Sequence, residues 1–247
     1  MTEGGTHTGG GIHVEDGAGA TSRSVHLRYD QKVLPYHRAV VGAAARHLPP
    51  GGRILDIGCG VGHVLALLEE ARPDAALHAL DVDEQCLSIT RSRVRDLTSR
   101  PLDLQVLLDE PLPWPVDQIL LSHVLEHSLR PADLLERLVD QLPATGTLVV
   151  AVPNTARPTV TVASALRRDY VNRGHAYSWD RSHWMNFLER ILGLDVVEYV
   201  PDYVPIVPER VRSRWPAPIG RVEVAAARAL PWWTFSNIAV VRGRGPA

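Results

Sequence analysis

Lysine is almost missing from this chain of 247 residues: Lys32 stands alone, and the other 25 of its 26 basic side chains are arginine. Arginine codons are GC-rich and lysine codons AT-rich, so a GC-rich genome accounts for the bias before any clustering of guanidinium forks does. Cysteine is nearly as scarce. Cys59 and Cys86 cannot build a disulfide framework, and neither belongs to a metal-type Cys-x-x-Cys pair. No run approaches the roughly 18 apolar residues that span a bilayer. Residues 1–20 are rich in glycine and threonine, carry Glu3, Glu15 and Asp16, and lack the hydrophobic stretch of a secretory signal. A net charge of -2 and a pI near 6.6 give no global pull toward nucleic acid or membrane. No basic and aromatic array is long enough to track a nucleic-acid strand. The expectation is a cytoplasmic protein with neither membrane nor nucleic-acid partner, whose residues 1–22 form a disordered tail.

What is present alternates. A helix is expected over about residues 26–48, split or kinked by Pro35 and stopped by Pro49-Pro50-Gly51-Gly52; residues 23–50 read as a helical lid, with the main domain from 51 to 247. Short apolar runs at 53–57, 76–80, 102–108, 118–121 and 147–152 suit buried strands. Between them lie helices at 63–72, at 84–99 with Asp83 as cap, and from Pro131 with Leu134, Leu135, Leu138, Val139 and Leu142 inward. After Pro153 the rhythm changes: an irregular stretch over 154–179, a helix at 180–192, a strand at 195–200, a proline-rich excursion at 201–218, a helix at 219–230 and a last strand at 235–241. Alternation of this kind predicts an α/β, Rossmann-like doubly wound sheet of seven strands, mostly parallel with an antiparallel last strand. Insertions fall at about 154–180 and 201–233.

The bend Asp56-Ile57-Gly58-Cys59-Gly60-Val61-Gly62 joins the first strand to the first helix of the sheet. Glycine there permits positive φ and lets a ligand approach bare backbone, at the carboxyl edge where open α/β sheets bind ligands. The dinucleotide spacing is G-x-G-x-x-G, whereas this is G-x-G-x-G with an acid in front. Asp56 would repel a pyrophosphate and suits an ammonium group. Asp81, about 20 residues on, stands where a carboxylate accepts from both ribose hydroxyls. Ribose plus a cationic amino-acid portion describes S-adenosylmethionine.

Ile54-Leu55-Asp56-Ile57-Gly58-Cys59-Gly60-Val61-Gly62 resembles the first motif of class I S-adenosylmethionine-dependent methyltransferases, and Leu80-Asp81-Val82-Asp83 their acidic ribose motif. Leu121-Ser122-His123-Val124-Leu125-Glu126-His127 and Ala151-Val152-Pro153-Asn154 are similar to segments of the ubiquinone-biosynthesis-like subgroup. The resemblance covers roughly residues 50–200. It implies that Gly58, Cys59, Gly60 and Gly62 cradle the methionine portion, that Asp56 orients its ammonium and that Asp81 holds the ribose. Val82 would pack on adenine, Asp109 or Glu110 would lie near its amino group, and Ser122 would face the cofactor.

The same resemblance implies methyl transfer to an oxygen or nitrogen of a small molecule. GC-rich composition and tailored flanks suggest bacterial secondary metabolism. A base is needed for a hydroxyl or ammonium nucleophile, and His123, His127 and His175 are the candidates; Glu126-His127 is equally readable as a structural pair at a helix start. Tyr29, Tyr36, Tyr177 and Trp179 are candidates for an aromatic acceptor wall, with plain packing as the alternative. The run His123-x-x-Glu126-His127 with the later His175 also resembles the metal-binding run of small-RNA terminal 2'-O-methyltransferases. Its first acid is replaced by His123, so no metal is expected. Metal-dependent RNA methylation and cofactor binding without methyl transfer remain the alternative readings.

Overall fold

The computed structural model describes residues 32–166, 174–207 and 216–245. Seven strands form one sheet: β1 (Arg53–Ile57), β2 (Ala76–Asp81), β3 (Leu97–Pro101), β4 (Gln118–Ser122), β5 (Thr147–Pro153), β6 (Val196–Val200) and β7 (Ser236–Arg242). Their order is β3-β2-β1-β4-β5-β7-β6. The neighbours from β3 to β5 pair in parallel, and β7 runs antiparallel to both β5 and β6. The expected fold class is therefore the observed one.

Period-2 alternation sends successive side chains to opposite faces of the sheet. On β5, Leu148, Val150 and Val152 join Leu55, Ile119 and Leu121 on one face. That face is covered by helix α4 (Pro131–Gln141) through Leu134, Leu135, Leu138 and Val139. Val149 and Ala151 share the other face with Ile54 and Leu120, under α1 (Pro35–His47), α2 (His63–Ala71) and α3 (Glu84–Arg93). Helix α1 starts at the proline expected to divide it. Val40, Ala43 and Ala44 are wholly buried, so the described part of the anticipated lid is a core layer, and only its first turn reaches the ligand edge.

The structure corrects three assignments. Helix α3 ends at Arg93, short of residue 99, and β3 is Leu97–Pro101 rather than 102–108. Leu-Thr-Ser-Arg-Pro carries almost no apolar signal because an edge strand needs little. The apolar stretch beyond it is a 3-10 turn, Leu104–Leu108, opened by Asp103 accepting from the Gln105 amide and anchored by buried Leu107. Within the stretch expected to be irregular lies α5 (Pro158–Leu166), which buries no residue and so shows no amphipathic stripe. Helix α6 (Arg181–Met185) continues as a π-helical turn through Ile191, and α7 (Pro216–Ala229) precedes β7.

Candidate functional site

Gly58, Gly60 and Gly62 all adopt positive φ, at 70°, 54° and 78°. Their surroundings differ. A Cβ on Gly58 would lie 2.4 Å from a Val124 methyl, and one on Gly62 would lie 2.6 Å from the Thr90 methyl, whereas one on Gly60 meets nothing within 4 Å. Gly58 and Gly62 are thus demanded by packing, and Gly60 opens onto the space a ligand would use. The bend is fastened from behind: Leu80 O accepts from the amides of Gly58 and Cys59, at 2.7 and 3.2 Å. The Thr90 hydroxyl donates to Gly60 O at 3.0 Å, and Arg93 donates to Val61 O at 2.8 Å.

Two acids flank this bend. Asp81 at the end of β2 accepts from the Gly60 amide at 2.8 Å and from the Asp83 amide at 2.9 Å, one bond to each oxygen. Each carboxylate oxygen retains acceptor capacity for a sugar hydroxyl. Asp56 is 2% exposed, and among the described residues no group donates a hydrogen bond to its carboxylate. Burial, and then the charge of Asp81, pushes its pKa up to about 8. A buried acid held this way is stabilised by an arriving cation. Burial, followed by the charges of Asp56 and Asp81, also pushes the Cys59 thiol well above its ordinary range, so it packs the bend and is no nucleophile. Val82 is 73% exposed just beyond Asp81, an apolar platform beside that acid. The bare bend, the unneutralised buried acid and this platform fit S-adenosylmethionine.

Asp109 and Glu110 are exposed and follow the 3-10 turn rather than a strand, with their amides bonded to Val106 O. The Ser122 hydroxyl, at the β4 exit, is buried with no hydrogen-bond partner.

Beyond β4 the chain turns sharply at His123, the one non-glycine with positive φ among the described residues, at 56°. Tyr36 of α1 stacks on its ring at 4.5 Å, and Phe235 lies near-parallel at 5.9 Å. His123 Nε2 meets the Ser236 hydroxyl at 2.8 Å. Burial, then the charge of Arg157, pulls its pKa down to about 3, which suits a packed, neutral ring better than a proton acceptor. His175 is half-buried and lowered to about 4, chiefly by burial. His127 is exposed, with Nδ1 2.9 Å from Gly174 O. The expected base candidates therefore gather at one edge, but in two groups, with His123 in the aromatic stack and His127 beside His175, ring centroids 4.9 Å apart.

The aromatic wall is only partly realised. Tyr36 is in place, and Tyr177 is exposed, stacked on Trp179 at 5.7 Å. Trp179 itself is corrected to a core residue, 7% exposed, because its ring packs with Trp184 and Phe187 and its carbonyl is tied to Thr155 and Asn237. Tyr29 lies outside the described residues. Arg157 belongs to no motif in the sequence. It sits 4.2 Å over the Phe235 ring, donates to Phe235 O at 3.3 Å, and its charge lowers both His123 and His175. Only a tertiary contact 78 residues away in sequence brings it there.

This sheet order, with a bare bend and acids at the exits of β1 and β2, defines a class I S-adenosylmethionine-dependent methyltransferase. The chain belongs to the methyltransferase-domain family, whose profile matches residues 28–199. A trans-aconitate 2-methyltransferase of Sinorhizobium fredii is 34% identical over 109 residues, 42% of this chain and 40% of that protein. The chain thus spans well under two thirds of that relative. Among solved structures, a plantazolicin methyltransferase in complex with a triazolic desmethylPZN analog and S-adenosylhomocysteine superposes with TM-score 0.62 at 16% identity, covering 93% of this chain and 92% of that one. The magnesium protoporphyrin IX methyltransferase of Synechocystis, also with S-adenosylhomocysteine, gives 0.60 at 14% identity, covering 90% and 95%. Both likenesses are of fold. S-adenosylmethionine is the methyl donor of this family. Among the described residues no helix is long and apolar enough to cross a membrane.

Proposed function

We propose that this protein transfers the methyl group of S-adenosylmethionine to a carboxylate oxygen of a small anionic acceptor. The observation that carries the acceptor class is Arg157, a guanidinium poised over Phe235 and close enough to His123 and His175 to act on both electrostatically. A planar fork of donors is the group that best matches a carboxylate. The trans-aconitate methyltransferase relative supports an acid as acceptor. The arginine-rich composition supports a bacterial small-molecule pathway.

The residues divide the work. Asp56 holds the ammonium end of the cofactor, Asp81 accepts from its ribose, and Val82 packs on its base. When bound, the cofactor supplies an electrophilic methyl and takes the leaving electron pair onto its sulfur. The acceptor oxygen forms the new C–O bond as the C–S bond breaks, giving a methyl ester and neutral S-adenosylhomocysteine. A carboxylate is already ionised at neutral pH, so no proton has to be removed. That resolves the low proton affinity of His123 and His175, which position and wall the acceptor while Arg157 holds it in line.

The test is a panel of acids, including trans-aconitate, assayed for S-adenosylhomocysteine release beside matched alcohols and amines. Turnover confined to acids is expected, with Arg157→Leu raising KM about 10- to 100-fold, the loss of a charge-assisted hydrogen bond of ~1.5–3 kcal/mol. Turnover of alcohols or amines alone overturns the acceptor class. Cofactor binding without release across the panel overturns methyl transfer itself.

A further inference from the structure

One cluster of donor atoms offers more than the machinery just described uses, although it shares His175 with the acceptor wall. Glu126, in the 3-10 turn Leu125–His127, is 1% exposed, and its Oε2 is buried with no hydrogen-bond partner. Its Oε1 stands 3.9 Å from His175 Nε2. One ligand atom from each of Glu126, His127 and His175 lies within 4.8 Å of the other two, the one such trio among the described residues. The loop that brings His175 there is held by the Glu126 carbonyl, which accepts from the amides of Ala176 and Tyr177. The Gly174 carbonyl faces His127 Nδ1 and can only accept, so Nδ1 carries the proton and the imidazole lone pair sits on Nε2. That is the arrangement by which a backbone carbonyl orients a metal-binding histidine.

We propose that Glu126, His127 and His175 form a two-histidine, one-carboxylate site for a divalent transition metal ion such as zinc. Two imidazoles and a carboxylate are a ligand set that leaves a coordination position open. Ligands at 2.0–2.1 Å around a tetrahedral ion are about 3.4 Å apart. The 3.9 Å between Glu126 and His175, within a trio bounded at 4.8 Å, therefore has to shorten by about 0.5–1.4 Å when an ion binds. Half-burial of His175 and exposure of His127 give the ion an entry path from solvent, while the buried carboxylate gains a positive charge where it has no partner. The site lies at the β4 exit, two residues from Val124, the side chain that packs against Gly58. It departs from the expectation of a metal-free protein and shares His175 with the acceptor wall proposed above, but cation uptake can be read without any acceptor.

The full-length protein, stripped with a chelator and dialysed, is titrated with cobalt(II) followed by visible absorption and with zinc(II) in competition. The expected result is uptake of about one equivalent of cobalt with tetrahedral-type bands, displaced by zinc. Glu126→Gln and His175→Ala should each weaken uptake by about 100-fold or more, beyond the loss typical of an outer-shell partner. Because these residues are at least half-buried, exposed His127→Ala is measured beside them. All three are checked for a retained thermal shift with S-adenosylhomocysteine, a readout of the cofactor half that needs no metal. Wild-type uptake no greater than that of His127→Ala overturns the proposal. So does a full equivalent retained in folded His175→Ala.

Discussion

The three glycines of the cofactor bend make different demands, and the differences can be measured. At Gly58, alanine must adopt a left-handed conformation at φ 70° and place a Cβ 2.4 Å from Val124. The backbone part costs about 1–2 kcal/mol, and forcing a methyl into a filled position adds about 1–3 kcal/mol. Gly58→Ala should therefore destabilise the protein by about 2–5 kcal/mol. Val124→Ala removes the obstructing methyls, so the double variant should recover the steric share, a coupling of about 1–3 kcal/mol in a thermodynamic cycle. Gly60→Ala at φ 54° meets no atom within 4 Å and should cost only the backbone share. Its penalty falls on binding, because the methyl projects into the space assigned to the ligand. Denaturant unfolding reads the stabilities, and calorimetric titration with S-adenosylhomocysteine reads the affinities. Coupling between positions 58 and 124 below about 0.3 kcal/mol would refute the packing argument. Undiminished affinity in Gly60→Ala would refute the assignment of the bend to the ligand.

Other groups give sharper pH and strain signatures. Asp56 has a folded pKa raised to about 8 from 3.8, so its burial costs nothing in acid and destabilises the ligand-free protein progressively as pH rises toward 8. Asp56→Asn should accordingly raise the melting temperature at pH 8 by more than at about pH 4, while weakening cofactor binding; equal shifts at both ends would contradict a raised carboxyl. In wild type, binding an ammonium there should release a proton below pH 8, seen as buffer-dependent heats in titration calorimetry. Asp202 accepts from the amides of Tyr203, Phe235 and Ser236, tying the segment that follows β6 to the start of β7. Asp202→Ala should cost about 2–3 kcal/mol of stability with the cofactor affinity largely kept. At His123, asparagine tolerates positive φ better than alanine does, so His123→Asn should be the more stable by about 0.5–1 kcal/mol. A catalytic limb that disappears from the pH–rate profile of His123→Asn would restore that residue as a base.

The cofactor half of the site was legible because it is local. Residues 54–62 and 80–83 are two short strand exits in which chemistry and conformation coincide: positive φ calls for glycine, the strand end places the acid, and apolar alternation announces the strand. The central strands were equally readable, since burial on both faces leaves continuous apolar runs. The misses have the opposite character. Strand β3 is exposed along one edge and needs no apolar pattern, and α5 buries nothing, so neither leaves a periodic trace. Trp179 could not be sorted from Tyr177 by residue type, because wall and core use the same aromatic rings. What separates them is the neighbouring Trp184, wholly buried.

The proposed acceptor half is assembled by topology instead. Tyr36 arrives from α1, His123 from the β4 exit, Arg157 from the β5 exit and Phe235 from the entry to β7. Antiparallel β7 sits beside β5, which puts the start of one strand against the end of the other, with Ser236 opposite Pro153. That single reversal brings Phe235 under Arg157 and Ser236 against His123. A fully parallel sheet would send the start of β7 to the far edge and leave both without their partners. The strand order therefore does more than complete the sheet: it gathers residues from four distant segments into one charged, aromatic cluster at the sheet edge. Substitution within that cluster should retune the acceptor while leaving the cofactor's affinity in place, since the two halves share the sheet edge and few side chains.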